Sequence, residues 1–132
     1  MSRIFYNKLI RDRIPEIIEA KGELCDVRVL DDAHEFQQEL LKKIVEEAGG
    51  LVKARTRSAL LSEYADLMVA LDTLMQLMEF SEADIKASLE ENMEKKGAYK
   101  RQLFLHWSED SDYHSHESPQ GIPKDTEHTQ QA

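Results

Sequence analysis

Cysteine is almost missing from this chain of 132 residues, in which Cys25 is the single example. One cysteine excludes an internal disulfide and fits a reducing compartment, so we expect a cytoplasmic protein. The same scarcity excludes a C-x-x-C redox motif and cysteine-based zinc fingers. A glycine-rich phosphate loop is also absent, and the whole chain contains only five glycines. These absences exclude several common classes of enzyme and binding protein.

Long apolar runs and an excess of positive charge are lacking as well. No apolar run approaches the length of about 20 residues that a membrane span needs, and no signal-peptide pattern opens the sequence. The 17 lysines and arginines are outnumbered by 26 aspartates and glutamates, which gives a formal net charge of −9. Because an acidic protein repels the phosphate backbone of DNA and RNA, we expect neither a membrane nor a nucleic-acid polymer as partner.

Much of the negative charge lies at the C-terminal end. Residues 108–132 contain six acidic side chains and one lysine, so this segment carries −5 and the remainder of the chain carries −4. The segment has almost no apolar residues and cannot bury enough surface to offset the entropy lost on ordering. We therefore predict a folded domain over residues 1–107 and a disordered acidic tail over residues 108–132.

The folded part has the pattern of an all-α helical bundle of about four helices with a short N-terminal extended segment. Candidate capping residues place the helix starts at Asp12, Asp32, Ser58 and Ser81. The predicted helices cover about residues 14–21, 33–55, 59–79 and 82–96, and Gly97 ends the last one. Between the first two helices, Cys25, Val27 and Val29 alternate with polar residues, which indicates a short strand or an extended arm.

The predicted helix over residues 59–79 is apolar on most of its circumference. Such a helix must be covered on several sides, and a domain of about 107 residues supplies few elements to cover it. We therefore expect a bundle completed by oligomerisation, as a homodimer or homotetramer.

Three acidic residues fall on apolar helix faces when the helices are drawn at about 100° per residue. Glu47 lies inside the apolar arc of its helix, whereas Glu46 points away from it. Glu63 and Asp66 share one side of the next helix with leucines. A carboxylate on a buried face needs compensating charge, and neighbouring carboxylates repel each other. Either a hard cation such as Mg²⁺ supplies that charge, or the acids lie at the bundle edge and pair with lysine or arginine.

Four stretches of the chain, in order across residues 8–105, resemble a known superfamily. They are KLIRDRIPEII at residues 8–18, KIVEE at 43–47, EYAD at 63–66 and KGAYKRQL at 96–103. The first is similar to the start of phosphoribosyl-ATP pyrophosphohydrolase-like proteins, which belong to the all-α MazG-like nucleoside triphosphate pyrophosphohydrolases. The second and third resemble the E-E-x-x-E and E-x-x-D signatures of that superfamily. The fourth resembles its basic-Gly-Gly-aromatic stretch.

The resemblance implies a Mg²⁺-dependent hydrolase acting on a nucleoside triphosphate or a phosphoribosyl-nucleotide. Cleavage between the α and β phosphates would give the monophosphate and pyrophosphate. Carried over by position, the metal ligands would be Glu47, Glu63 and Asp66. Glu46 and Glu47 are the implied candidates to activate the attacking water.

Four basic residues are candidates to bind the phosphates of the substrate. Lys8 and Arg11 lie in the first motif, and Lys96 and Arg101 lie in the last. Lys96 stands where arginine is common in the family, which keeps the charge but loses the planar guanidinium. For each of the four, the alternative is a surface ion pair of little energetic consequence.

One position departs from the family pattern. The last glutamate of E-E-x-x-E falls at Gly50, and Gly49 with Gly50 weakens a helix interior by about 1 kcal/mol per glycine relative to alanine. Water could complete the metal coordination, Glu46 or Glu39 could move in after local unwinding, or the site could have lost most of its metal affinity. Two other functions therefore stay open: a degenerate nucleotide-binding protein, and a helical oligomeric interaction module.

Overall fold

The computed structural model describes residues 2–109. Their only regular secondary structure is helical, and they contain no strand. In chain order the helices are α1 (Ile14–Ala20), α2 (Ala33–Lys53), α3 (Arg57–Leu77) and α4 (Glu82–Lys96). The predicted all-α class with four helices is therefore confirmed for the described part of the chain. Within it, no helix combines the length and apolar character that a membrane span requires. The predicted disordered tail lies, apart from residues 108 and 109, outside the described residues.

The described residues divide into two compact units, one that ends at Glu90 and one that begins at Glu91. The first unit contains α1, α2, α3 and the beginning of α4, whereas the last turns of α4 and residues 97–109 belong to the second.

α2 and α3 form the core of the first unit. Only residues 54–56 separate them, and such a short connection brings two helices side by side in antiparallel orientation. Among the described residues, Leu40 of α2 and Ala70 of α3 are the two that are buried. No other two helices pack against each other within the described residues of this unit. The first unit therefore has a single helix–helix interface.

Two helices begin at the residues that the sequence predicts. The Asp32 carboxylate accepts a hydrogen bond of 3.4 Å from the backbone N–H of Glu35 at the start of α2. Before α4, Ser81 and Asp84 form a reciprocal capping box: each side chain accepts a hydrogen bond from the backbone N–H of the other. Gly97 then follows α4 with a φ of 77°, a conformation that glycine adopts without steric strain.

The other two predicted caps are wrong. α3 begins two residues earlier than expected because the hydroxyl of Thr56, not that of Ser58, accepts a backbone N–H three residues ahead. Both residues carry a hydroxyl group, so residue type alone does not separate them. α1 begins after Arg13 without a side-chain cap, and Asp12 does not cap it. Pro15 in the first turn lacks an N–H and reduces the need for a cap.

The alternating residues between α1 and α2 form no strand. No partner strand exists in the described part of the chain, so Cys25, Val27 and Val29 lie in an irregular arm. Arg28 from this arm donates two hydrogen bonds to the carboxylate of Glu35 in α2. These bonds hold the pKa of Glu35 below its ordinary value and tie the arm to the helix.

Arg28→Met is expected to raise the pKa of Glu35 toward the ordinary glutamate value of about 4.3. The pKa of Glu35 is lower in the folded than in the unfolded protein. The ion pair therefore stabilises the fold fully at pH values above the pKa of the unfolded state. Its contribution is lost as the pH falls through the lowered pKa. An NMR titration of the Glu35 carboxyl group measures the shift, and an unchanged midpoint in the variant would contradict the assignment.

Candidate metal centre

Three carboxylates come together where α2 packs against α3. Glu47 belongs to α2, and Glu63 and Asp66 belong to α3; one oxygen from each lies within 4.8 Å of the others. All three residues are half-buried. Glu63 and Asp66 are three residues apart and therefore share one face of α3. The structure thus brings together the three residues that their helix-wheel positions indicate.

The two consecutive glutamates of α2 have different surroundings. The Glu47 side chain is 13% exposed and faces α3, whereas the Glu46 side chain is 44% exposed. Both nevertheless border the same open cleft of about 530 Å³, whose walls also include Gly50, Glu63 and Asp66. A cleft of this volume is in the range of small-molecule sites. The cluster is therefore accessible to a ligand from outside.

Lys43 connects the two glutamates, and the sequence reasoning missed it. Its Nζ atom lies 3.3 Å from Glu46 Oε2 and 3.5 Å from Glu47 Oε1, and the side chain is only 16% exposed. The signal was the spacing, since a lysine three and four residues before two glutamates lies on the same helix face. Lys43 offsets part of the repulsion among the acids.

Replacing Lys43 with methionine is expected to destabilise the metal-free protein by about 1–2 kcal/mol, because Glu46 and Glu47 lose a cation in a half-buried place. Lys42→Met is the matched control: Lys42 pairs with Glu39 at 2.9 Å but is 73% exposed. We expect the control to change stability by less than about 0.5 kcal/mol. Chemical denaturation in EDTA measures both variants, and equal losses would contradict the role of Lys43.

Two cations of the N-terminal segment also pair with acids of the cluster or its border. Lys8 donates a hydrogen bond of 2.9 Å to Glu46, and Arg11 Nη1 lies 3.6 Å from Asp66 Oδ1. The bond from Lys8, reinforced by Lys43, holds the pKa of Glu46 below its ordinary value. In this structure Lys8 and Arg11 therefore form surface ion pairs, which is the alternative to phosphate binding that the sequence left open. Through these pairs both cations lie beside the cleft.

The other two predicted phosphate-binding residues belong to the second unit. Lys96 is the last residue of α4, Arg101 lies in the turn over residues 99–102, and both are exposed. Their role in phosphate binding stays a prediction. Lys53, at the end of α2, is a further cation that borders the cleft and that the sequence reasoning missed.

α2 remains helical through both of its glycines. The helix runs without interruption from Ala33 to Lys53, so no local unwinding occurs at Gly49 or Gly50. The explanation in which Glu46 or Glu39 moves in after unwinding is therefore wrong for this structure. The cluster has three carboxylates, and position 50 contributes none.

The donor set fits a hard divalent cation. Carboxylate oxygens are preferred ligands of Mg²⁺, and at bonds of about 2.1 Å the ligands of an octahedral ion lie about 3.0 Å apart when adjacent and about 4.2 Å apart when opposite. The three carboxylates, whose oxygens lie within 4.8 Å of one another, would have to approach each other further to reach that spacing. In residues 2–109, Glu63 has no basic side chain within 4.0 Å, unlike Glu47 and Asp66. Glu63 is the ligand candidate that most needs a bound cation.

The chain was also compared with known proteins. No family model, curated protein or solved structure matches it. The superfamily therefore remains a resemblance carried by four motifs.

Proposed function

We propose that this protein is a Mg²⁺-dependent nucleotide pyrophosphohydrolase. The observation that carries the proposal is the convergence of Glu47, Glu63 and Asp66 in an open cleft that Lys8 and Arg11 approach. Carboxylates suit a metal ion, and cations beside them suit the phosphates that the ion accompanies. A lone acidic cluster has many explanations, but the four ordered motifs point to one chemistry.

Glu47, Glu63 and Asp66 would hold the ion. When bound, Mg²⁺ neutralises charge on phosphate oxygens and thereby favours attack at phosphorus. Glu46 borders the cleft without belonging to the cluster. Lys8 and Lys43 both contact its Oε2 atom, and once Lys8 turns to a phosphate the carboxylate would orient a water molecule and accept its proton. Glu47 is the second candidate for that role, although its burial against α3 suits a ligand better.

Lys8 and Arg11 would exchange their carboxylate partners for phosphate oxygens when the substrate binds. Both lie in the irregular segment before α1, which leaves their long side chains free to reorient. Lys53 borders the cleft from the end of α2 and would add a third positive charge. For Lys96 and Arg101, phosphate binding stays a prediction that the resemblance alone carries. The proposed substrate is a nucleoside triphosphate or a phosphoribosyl-nucleotide. The proposed location of the protein is the cytoplasm.

A homodimer or homotetramer is part of the same proposal. Because Leu40 and Ala70 are the two buried residues in the described part of the chain, one copy has very little core of its own. Leu41, Val45 and Val52 recur at helical spacing along α2 and are exposed. A second copy of the chain would cover these side chains and complete the helical bundle.

The experiment is a pyrophosphate-release assay on the full chain with Mg²⁺ and a panel of nucleotides. We expect the wild type to convert at least one nucleotide to its monophosphate and pyrophosphate, and Asp66→Asn to lose this activity. Asp72→Asn is the matched control, since Asp72 is exposed on the same helix. Wild-type release no faster than background with every nucleotide would contradict the proposal and favour a binding protein without catalysis.

A further inference from the structure

Gly50 of α2 lies directly against the carboxylate of Glu63. A Cβ atom at this position would lie 2.6 Å from Glu63 Oε2, 3.2 Å from Glu63 Cδ and 3.7 Å from Glu63 Oε1. The first distance is far shorter than a van der Waals contact, so any side chain at position 50 must displace the Glu63 carboxylate. The neighbouring Gly49 has no atom within 4 Å of its corresponding position.

Backbone conformation does not explain the glycine at position 50. Gly22 and Gly97 are the glycines with positive φ among the described residues, so Gly50 has a conformation open to any L-residue. A glycine in a helix interior also weakens the helix relative to alanine. The structure therefore explains the glycine at position 50 by the space that its missing side chain leaves for Glu63. Nothing in the structure explains Gly49.

We infer that Gly50 is a positioning residue of the acidic cluster: its missing side chain forms a recess in α2 that receives the Glu63 carboxylate. Glu63 in this recess lies beside Glu47 of the same helix interface, and Asp66 follows one turn later on α3. The recess thus gathers the three carboxylates instead of supplying a fourth. The inference rests on the proposed function, because the gathered carboxylates are its Mg²⁺ ligands.

The position that departs from the family motif then has a purpose of its own. A glutamate at position 50 and Glu63 in its present place would require the same space. Glu63 can approach α2 this closely because position 50 carries no side chain, and for the same reason the fourth carboxylate is missing. The absence of a side chain at Gly50 is therefore a feature of the site in this chain, and not a sign of its decay.

The test compares Gly50→Ala with Gly49→Ala in the full-length protein. Both changes add one methyl group to the same helix interior, and only the first displaces Glu63. The readout is the rise in Tm with increasing Mg²⁺ and no nucleotide present. We expect the wild type and Gly49→Ala to respond alike. Gly50→Ala is expected to need roughly tenfold more Mg²⁺ or more, as when a residue that orients a metal ligand is lost.

A metal-free measurement keeps the two proposals separate. In EDTA, Gly50→Ala is expected to raise Tm by less in the wild-type background than in a Glu63→Ala background, where nothing occupies the recess. An unchanged Mg²⁺ response of Gly50→Ala, with a normal response of the wild type, would overturn the positioning role and leave the proposed function standing. No response of the wild type would overturn the proposed function. The comparison in EDTA then tests whether Glu63 occupies the recess at Gly50. If Gly50→Ala changes Tm equally in both backgrounds, the recess is refuted, and a smaller rise in the wild-type background supports it.

Discussion

Glu63→Gln is expected to reduce Mg²⁺-dependent pyrophosphate release by about 100-fold or more, because the metal supplies several kcal/mol of transition-state stabilisation. The amide keeps the size of the side chain and fits the recess at Gly50, but it removes the negative charge. Of the three clustered acids, Glu63 is the one without a basic partner within 4.0 Å in residues 2–109. Its charge therefore has the least compensation inside the protein.

The same substitution is expected to stabilise the metal-free protein. Three carboxylates with oxygens within 4.8 Å repel one another. Of these three acids, only Glu47 and Asp66 have a cationic partner, Lys43 and Arg11 respectively. Removing one uncompensated charge relieves repulsion of about 3 kcal/mol for each carboxylate pair at an effective dielectric constant of about 20, and the cations nearby offset part of this gain. The expected pattern is a Tm above that of the wild type in EDTA and below it in saturating Mg²⁺.

Thermal melting with and without Mg²⁺, together with the release assay, measures both effects. Asp72→Asn serves as control for the loss of one acid from α3, and we expect it to leave both measurements close to wild type. A Glu63→Gln protein that is less stable than the wild type in EDTA would show that an interaction within the protein already balances the Glu63 charge. The carboxylate cluster would then not need a bound cation to balance Glu63.

Val52→Glu is expected to convert the protein from an oligomer to a monomer. Val52 is 80% exposed in a single copy and lies on the apolar stripe that includes Leu41 and Val45. If a second copy covers this stripe, a glutamate at position 52 carries an unpaired charge into an apolar interface, which costs several kcal/mol. Because a lone copy has little buried core, we expect the monomer to unfold at a markedly lower temperature.

Sedimentation velocity over a range of concentrations measures the state of association. Gln76→Glu is the control, because it adds the same charge at an exposed position of α3. We expect this variant to sediment as the wild type does. A wild type that stays monomeric at every concentration would refute the oligomer. A Val52→Glu protein that sediments as the wild type does would place the interface elsewhere on the molecule.

The sequence predicts the helices well because their signals are local. Apolar periodicity and the side chains of Asp32 and Ser81 mark α2 and α4 to within two residues. The prediction fails where two residues have equal capping chemistry, as Thr56 and Ser58 do. At residues 25–29 the sequence leaves a short strand and an extended arm open, and without a partner strand among the described residues the segment is an arm.

The candidate site is predictable in part for a similar reason. A helix wheel assigns Glu47, Glu63 and Asp66 to inward faces, and this needs no knowledge of the partner helix. The recess at Gly50 could not be predicted in the same way, since it depends on how closely α2 and α3 approach each other. A helix wheel contains no distance between helices. From the sequence, the missing glutamate of the motif therefore left three explanations open: water in its place, a glutamate that moves in, or a loss of metal affinity.

The three-residue connection between α2 and α3 bears on how the site forms during folding. All three clustered acids lie between residues 47 and 66 on one helical hairpin. Closing so short a stretch of chain takes little entropy, and contacts of low sequence separation form early. The carboxylates are therefore expected to meet as soon as the hairpin closes, before a second copy arrives. Their mutual repulsion then opposes the earliest folding step, and a divalent cation in the folding buffer would accelerate it.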